Sequence, residues 1–127
     1  MSNVSAPPIK VLLVDDQRAI LSGVTALIDS ESPRLRVAGR ARYGLQALEI
    51  ARTVRPDIIV LDADLGAEDG LALIPMFRLC CDAAVVVFTC LAEPRVRRRA
   101  LRLGAVGFVS KTAPGDVLIA AIYAATG

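Results

Sequence analysis

The segment IIVLDADLGAEDG, residues 58–70, changes abruptly from apolar to acidic. Its carboxylates belong to Asp62, Asp64, Glu68 and Asp69. A second acidic group, the adjacent pair Asp15 and Asp16, directly follows the apolar run KVLLV. Carboxylates that lie close together repel one another, and a hard divalent cation with oxygen ligands relieves that repulsion. Because a carboxylate can also act as a nucleophile and form an aspartyl phosphate, these residue types are typical of phosphate chemistry assisted by Mg²⁺.

A hydroxyl and an ammonium group complete the set of groups that could take part. Thr89 ends the run AVVVFT, and Lys111 follows the run VGFVS. Both could complement an added phosphoryl group, whose charge is about −1.5 to −2 near neutral pH. These groups can act together only if the fold brings them to one place.

Five β-rich runs at regular spacing predict the elements that position these groups. The predicted strands are Lys10–Val14, Leu35–Ala41, Asp57–Leu61, Ala84–Thr89 and Val106–Ser110. The first, third and fourth runs are continuously apolar, as expected of parallel strands that are covered on both faces. The segments between them have helical periodicity. The pattern predicts an α/β fold, a doubly wound (βα)5 parallel five-stranded sheet with flavodoxin-like strand order 2-1-3-4-5.

Two prolines predict where helices begin. The third helix, near residues 71–79, contains Pro75, so we expect it to start late or to bend there. Pro114 is expected to start the last helix.

In such open sheets, ligands bind at the carboxyl ends of the strands. The acidic pair, Asp62, Thr89 and Lys111 all follow or end predicted strands, so the topology predicts a single pocket.

Length and composition exclude several other classes of protein. A chain of 127 residues is expected to form one domain, with residues 1–8 as a disordered N-terminal tail and residues 9–127 as the folded part. The net charge of +2 is too small to indicate nucleic-acid binding. No apolar run reaches the ~18 residues that span a membrane, and no secretory signal is visible. Three cysteines without a CxxC pair favour reduced thiols and a cytoplasmic location.

The motifs together closely resemble the receiver domain of bacterial response regulators. The resemblance covers about residues 9–126 and is carried by VLLVDDQ, PDIIVLDADLGAEDG, VVVFTC and GAVGFVSKTAP. Its details are most similar to the NarL/FixJ-type subfamily, whose members usually carry a LuxR-type helix-turn-helix domain after the receiver. The resemblance therefore implies a piece of a transcription regulator whose output domain is absent from this chain. A stand-alone receiver is the alternative, and direct nucleic-acid binding by this domain is not expected.

The resemblance implies a role for each matching residue. Asp62 would accept a phosphoryl group from the histidine of a sensor kinase. Asp16 and Asp62 would bind Mg²⁺ directly, the backbone carbonyl of Asp64 would be the third protein ligand, and Asp15 would act mainly through water. The domain would then be a signalling switch that catalyses only its own phosphorylation and dephosphorylation.

The resemblance also implies how the switch works. Lys111 would pair with the phosphate or, before phosphorylation, with Asp62. Thr89 would turn to hydrogen-bond a phosphoryl oxygen, and Phe108 would follow by turning inward. This population shift would reshape the face formed by helix 4, strand 5 and helix 5. That face, or the surface of helices 1 and 5, could form a homodimer.

Four residues near the expected site depart from the usual pattern of the family. Gly66 stands where the family usually has proline, and Gln17 replaces a frequent histidine. Cys90 replaces a small residue, and Asp64 adds a carboxylate. We therefore expect Gln17, Asp64 and Cys90 to tune the site and to alter autodephosphorylation. Glu68 and Asp69 are interpreted as acids that suit the positive N-terminal end of the third helix.

A run of arginines marks the predicted fourth helix. Four of them share one side of that helix: Arg95, Arg98, Arg99 and Arg102. This side is either a solvated basic face or a docking surface for a dimer mate or an output domain.

Two other functions remain open from the sequence. The motif Asp62-Ala63-Asp64 is also similar to the nucleophile motif of haloacid-dehalogenase-type phosphatases. In that family, however, the acidic pair follows the nucleophile, and this chain lacks the length for a substrate cap. The second alternative is a pseudo-receiver, an interaction module on the same fold that takes no phosphate.

Overall fold

The computed structural model describes residues 6–127, so most of the predicted N-terminal tail lies outside the described residues. The five strands of the main sheet are β1 (Ile9–Val14), β2 (Leu35–Ala41), β3 (Ile58–Leu61), β4 (Ala84–Thr89) and β5 (Gly107–Ser110). The helices are α1 (Arg18–Asp29), α2 (Gly44–Val54), α3 (Ile74–Cys80), α4 (Pro94–Leu103) and α5 (Gly115–Thr126).

The sheet is parallel throughout, and its strand order is β2-β1-β3-β4-β5. The predicted doubly wound fold and its 2-1-3-4-5 order are therefore confirmed. The register determines where the site forms. Val14, the last residue of β1, lies beside Leu61, the last residue of β3. The residues that follow these two strands, Asp15 and Asp62, must consequently lie next to each other.

The apolar strands are covered on both faces, which explains their continuous hydrophobicity. Leu12 and Val14 of β1 belong to a core cluster that packs with α2, α3 and α4. Val11 and Leu13, which alternate with them, belong to a second cluster that packs with α1 and α5. All four side chains are at most 1% exposed. A strand buried in this way cannot show the alternation of a half-exposed one.

Three of the five strands begin one residue away from the predicted position, and the other boundaries agree. β3 begins at Ile58 instead of Asp57, although the Asp57 N–H still donates to the Lys10 carbonyl (2.9 Å) and its carboxylate accepts from the Lys10 backbone N–H (2.8 Å). β5 begins at Gly107 instead of Val106, and β1 includes Ile9.

Both proline predictions agree with the structure. A 3-10 turn, Gly70–Leu73, precedes α3, and Pro75 lies in the first turn of that helix. At this place the missing N–H of proline costs no hydrogen bond. Pro114 is the N-cap of α5. In residues 6–127 no helix combines the length and the apolar character required to cross a membrane.

Candidate functional site

Three carboxylates meet at the carboxyl ends of β1 and β3. Oxygens of Asp15, Asp16 and Asp62 all lie within 4.8 Å of one another. The Asp62 backbone N–H donates to the Val14 carbonyl (3.0 Å), which extends the ladder by one residue and fixes Asp62 against β1. Asp15 and Asp62 are buried, whereas Asp16 is half-buried. This arrangement concentrates negative charge where little water reaches it.

Lys111 compensates part of that charge. Its Nζ lies 2.7 Å from Asp15 Oδ2 and 2.8 Å from Asp62 Oδ2, so it bridges two carboxylates. The sequence indicated only the contact with Asp62. Burial opposes the charged form of Lys111, but the hydrogen bonds to both carboxylates and their charge attraction together outweigh burial and raise the pKa of Lys111 above its usual value.

Asp15 shows the opposite balance. Burial raises the pKa of the Asp15 carboxyl, and hydrogen bonds from Lys111 and the Gln17 backbone N–H oppose the shift without cancelling it. The Gln17 N–H lies 2.9 Å from Asp15 Oδ1. Because burial disfavours the ionised form of Asp15, a further cation at the site would stabilise its carboxylate.

The segment after Asp62 folds into a small hairpin, which we call the acidic hairpin (residues 64–69). Its two-residue strands, Asp64–Leu65 and Glu68–Asp69, pair antiparallel. The Asp64 backbone N–H donates to Asp62 Oδ1 (3.1 Å), and the Asp64 carboxylate accepts from the Gly66 N–H (3.1 Å). Gly66 has φ +74°, which the ring of proline excludes, so this loop needs glycine here. The Asp64 carboxylate is thus bonded to its own loop through Oδ1.

The acidic hairpin is anchored to two helices. Glu68 Oε1 accepts a hydrogen bond from the backbone N–H of Gly44, the first residue of α2 (2.9 Å). Asp69 Oδ1 accepts from the Leu71 N–H (3.2 Å) and caps the 3-10 turn. The interpretation of both acids as partners of the third helix is therefore right for Asp69 and wrong for Glu68. Glu68 satisfies the N-terminus of a different helix because the hairpin turns it towards α2.

A cavity of about 140 Å³ opens beside the carboxylates. Its lining consists of Asp16, Gln17, Asp62, Asp64, Gly66, Thr89, Cys90, Leu91 and Lys111. Thr89 is fully buried, and its Oγ1 accepts from the Leu91 N–H (3.1 Å). Cys90 and Gln17 are exposed at the rim. Phe108 is half-buried and packs against the core cluster under α2, α3 and α4.

The donor set of this site fits Mg²⁺. Three carboxylates offer hard oxygen ligands at mutual distances that one ion can span, and the adjoining cavity has room for the waters that Mg²⁺ retains. No imidazole is available because the chain contains no histidine, and Cys90 lies at the rim rather than among the carboxylates. This chemistry disfavours zinc or copper at the site.

The four arginines on α4 do not form one equivalent surface. Arg95, Arg98 and Arg102 are exposed. Arg99 is half-buried and directs its guanidinium to Asp69 of the acidic hairpin, with Nη1 3.0 Å from Oδ1 and Nη2 2.6 Å from Oδ2. This ion pair could not be predicted from the sequence, because its partners are 30 residues apart and only the fold brings them together.

Comparison with known proteins agrees with this geometry. The family model of the response regulator receiver domain matches residues 11–123. The chain is a response regulator receiver domain. Receiver domains belong to two-component signalling, interact with histidine kinases and phosphotransfer proteins, and typically bind Mg²⁺ at an acidic cluster.

Curated relatives of this receiver are longer proteins with different outputs. A protein-glutamate methylesterase/protein-glutamine glutaminase of Moorella thermoacetica is 35% identical over 113 residues, which are 87% of this chain and 26% of that protein. The response regulator GacA of Pseudomonas aeruginosa is 33% identical over 115 residues, which are 90% of this chain and 53% of GacA. The chain thus spans between a quarter and about half of these two relatives.

Solved structures give the same result. The response regulator domain of Thermotoga maritima CheB superposes on this chain with a TM-score of 0.83 at 27% identity. The match covers 94% of this chain and 98% of the CheB chain. A LuxR-family response regulator from Aurantimonas superposes with a TM-score of 0.86 at 28% identity, covering 92% and 84% respectively. Because CheB-type and LuxR-type receivers are both similar, these likenesses establish the receiver family without singling out the NarL/FixJ subfamily.

Proposed function

We propose that this receiver accepts a phosphoryl group on Asp62 from the phosphohistidine of a sensor kinase. Asp16 and Asp62 would hold Mg²⁺ directly, with the backbone carbonyl of Asp64 as the third protein ligand and Asp15 acting through water. One observation carries the proposal: Lys111 binds the Asp62 carboxylate at 2.8 Å, beside a cluster of acids with the spacing of a metal site. A solvated acidic edge would not bury a lysine between two carboxylates.

The transfer forms a bond between an Asp62 carboxylate oxygen and phosphorus while the phosphorus–nitrogen bond to the kinase histidine breaks. The histidine nitrogen keeps the electron pair of that bond. Bound Mg²⁺ would supply positive charge that lowers the repulsion between the carboxylate and the phosphoryl oxygens. Lys111 already contacts Asp62, so a short movement lets its ammonium bind a phosphoryl oxygen.

Thr89 is the group that would report the added phosphate. Its oxygen accepts from Leu91, so its own hydroxyl hydrogen is available as a donor to a phosphoryl oxygen. Phe108 is half-buried, so part of its side chain is still exposed and would become buried if the ring turned inward. We propose that phosphorylation favours the state in which both have turned towards the site, and thereby changes the α4–β5–α5 face.

For the output, we propose transcription regulation in the cytoplasm through a helix-turn-helix domain of the NarL/FixJ kind. The similarity to GacA and to the LuxR-family receiver from Aurantimonas supports this choice. Activation would act through a homodimer formed by the α4–β5–α5 face or by α1 and α5. The methylesterase relatives make a different output the principal competing outcome.

The decisive experiment treats the protein with acetyl phosphate and Mg²⁺ and measures intact mass. We expect one added phosphoryl group, lost in Asp62→Asn, and amide shifts at Thr89 and Phe108 when beryllofluoride and Mg²⁺ are added. A wild-type protein that shows neither response is a pseudo-receiver, and the proposal fails. Sustained turnover of p-nitrophenyl phosphate would instead support the phosphatase alternative.

A further inference from the structure

The ion pair between Arg99 and Asp69 joins helix α4 to the acidic hairpin. Two nitrogens of the guanidinium face two oxygens of the carboxylate at 3.0 and 2.6 Å, the bidentate geometry that gives arginine its specificity for carboxylates. In residues 6–127 the other ion pairs join Lys111 to the site or lie within residues 31–34. The contact is therefore a specific tie between the hairpin and a neighbouring helix.

This tie lies one residue away from a close contact with the phosphorylatable residue. Gly70, which follows Asp69, packs so tightly on the Asp62 backbone carbonyl that there is no space for a Cβ. The Gly70 N–H also donates to the Ala63 carbonyl (2.8 Å). A displacement of Asp69 is consequently transmitted through one peptide unit to the backbone that carries Asp62.

The hairpin needs such ties because of its charge. It carries three carboxylates, those of Asp64, Glu68 and Asp69, and Asp64 lines the site cavity together with Asp16 and Asp62. Glu68 is bound on one side by the N-terminus of α2, whose positive end suits a carboxylate. Arg99 binds the hairpin on the other side. Without either contact, mutual repulsion would favour a more open loop.

We propose that Arg99 is a positioning residue for the phosphorylation site. It holds the acidic hairpin so that the backbone carbonyl of Asp64 and the carboxylate of Asp62 keep the spacing that Mg²⁺ requires. The inference rests on the proposed function, since it assigns Mg²⁺ to this cluster. It separates Arg99 from the exposed arginines of α4, which are left free to meet a partner.

The test is a double-mutant cycle on Mg²⁺ binding. The amide shifts of Ala63, Asp64 and Gly70 are the signals that report the binding. The variants are Arg99→Ala, Asp69→Asn and both together. Asparagine at 69 retains the capping oxygen for the 3-10 turn and removes the charge together with one of the two oxygens that accept from Arg99. Arg102→Ala, an exposed arginine of the same helix, is the matched control.

We expect each single variant to bind Mg²⁺ about 1.5- to 5-fold more weakly, the range set by a half-exposed ion pair. The double variant should be no weaker than the weaker single variant, because both remove the same interaction. Arg102→Ala should bind like the wild type. Arg99→Lys, which keeps the charge but loses the fork, should recover part of the affinity.

A measurement at high salt tests whether the ion pair itself causes the effect. High salt should bring the Mg²⁺ affinities of Arg99→Ala and of the wild type together, because it screens an exposed pair. Wild-type affinity in Arg99→Ala or in Asp69→Asn, or additive losses in the double variant, would overturn the inference. Absence of Mg²⁺ and beryllofluoride binding by the wild type would overturn the proposed function itself.

Discussion

The two lysines of the chain lie at opposite edges of the same sheet and have different kinds of partner. At the amino edge, Lys10 Nζ donates to the Val54 backbone carbonyl (2.6 Å), near the end of α2. At the carboxyl edge, Lys111 Nζ binds only side chains, the carboxylates of Asp15 and Asp62. Lys10 thus completes a helix end, whereas Lys111 compensates charges that the fold has placed together.

The cavities at the two edges also differ in volume and in the residues that line them. The amino-edge cavity is about 860 Å³ and is lined largely by prolines, aliphatic residues and exposed charges, whereas the carboxyl-edge cavity is about 140 Å³. The larger one brings no cluster of carboxylates together among the described residues. The candidate site therefore lies where charged groups converge, beside the smaller of the two cavities.

The largest difference between the two edges is expected when one carboxylate is removed from each. Asp62→Asn should abolish labelling by acetyl phosphate, because the amide oxygen is not a competent nucleophile. Asp57→Asn at the amino edge should leave labelling unchanged, since it retains an oxygen for the Lys10 backbone N–H. Intact mass spectrometry measures both. Equal labelling of Asp62→Asn and the wild type would place the reaction elsewhere.

Removing the lysine at each edge should lower the free energy of unfolding by different amounts. Lys111→Ala leaves two buried carboxylates uncompensated and should lower the free energy of unfolding by about 3 kcal/mol without Mg²⁺. Lys10→Ala removes one charged hydrogen bond and should cost about 1.5 kcal/mol.

Urea unfolding with and without millimolar Mg²⁺ measures these two costs. We expect Mg²⁺ to recover more stability in Lys111→Ala, because a bound cation replaces the missing charge. The same Mg²⁺ response in both variants would contradict the contrast between the edges.

A smaller effect is expected from the cysteines of the two edges. Cys90 lines the site cavity, so Cys90→Ala should admit water more easily and speed loss of the phosphoryl group about two- to tenfold, up to about 1.4 kcal/mol in the barrier. Cys81 lines the amino-edge cavity and is the control: Cys81→Ala should leave that rate unchanged. The decay of phosphorylated protein after removal of acetyl phosphate gives the rates. A slower decay in Cys90→Ala would show that the thiol does not shield the site.

The smallest expected effect concerns pH. The hydrogen bond from Arg99 is the main cause that lowers the pKa of Asp69 below its ordinary 3.8. Ionised Asp69 therefore favours the folded state, and this contribution is complete above pH 3.8 and is lost as the pH falls through the lower folded value.

Well above pH 3.8, the wild type should be about 0.2–1 kcal/mol more stable than Asp69→Asn, and the difference should vanish in stronger acid. In the Arg99→Ala background the difference should be much reduced at every pH. Urea titrations over this range measure it, and a pH-independent difference would show that the charge of Asp69 contributes nothing.

The fold, and the edge of the sheet at which the charged groups gather, could be predicted from the sequence. Continuous apolar runs can be buried only as strands covered on both faces, and parallel strands joined by helices present their carboxyl ends at one edge. Asp15, Asp62, Thr89 and Lys111 are each within one residue of a strand end, so their meeting followed from topology alone.

The partners of the longer side chains could not be predicted and are known from the folded structure. Glu68 turned to the N-terminus of α2, Arg99 turned to Asp69, and Lys111 divided its hydrogen bonds between two carboxylates. Each of these contacts joins elements that are distant in the chain, and its geometry depends on how helices pack against the sheet. Periodicity records which face of an element is buried, but it carries no record of where a flexible charged side chain finds its partner.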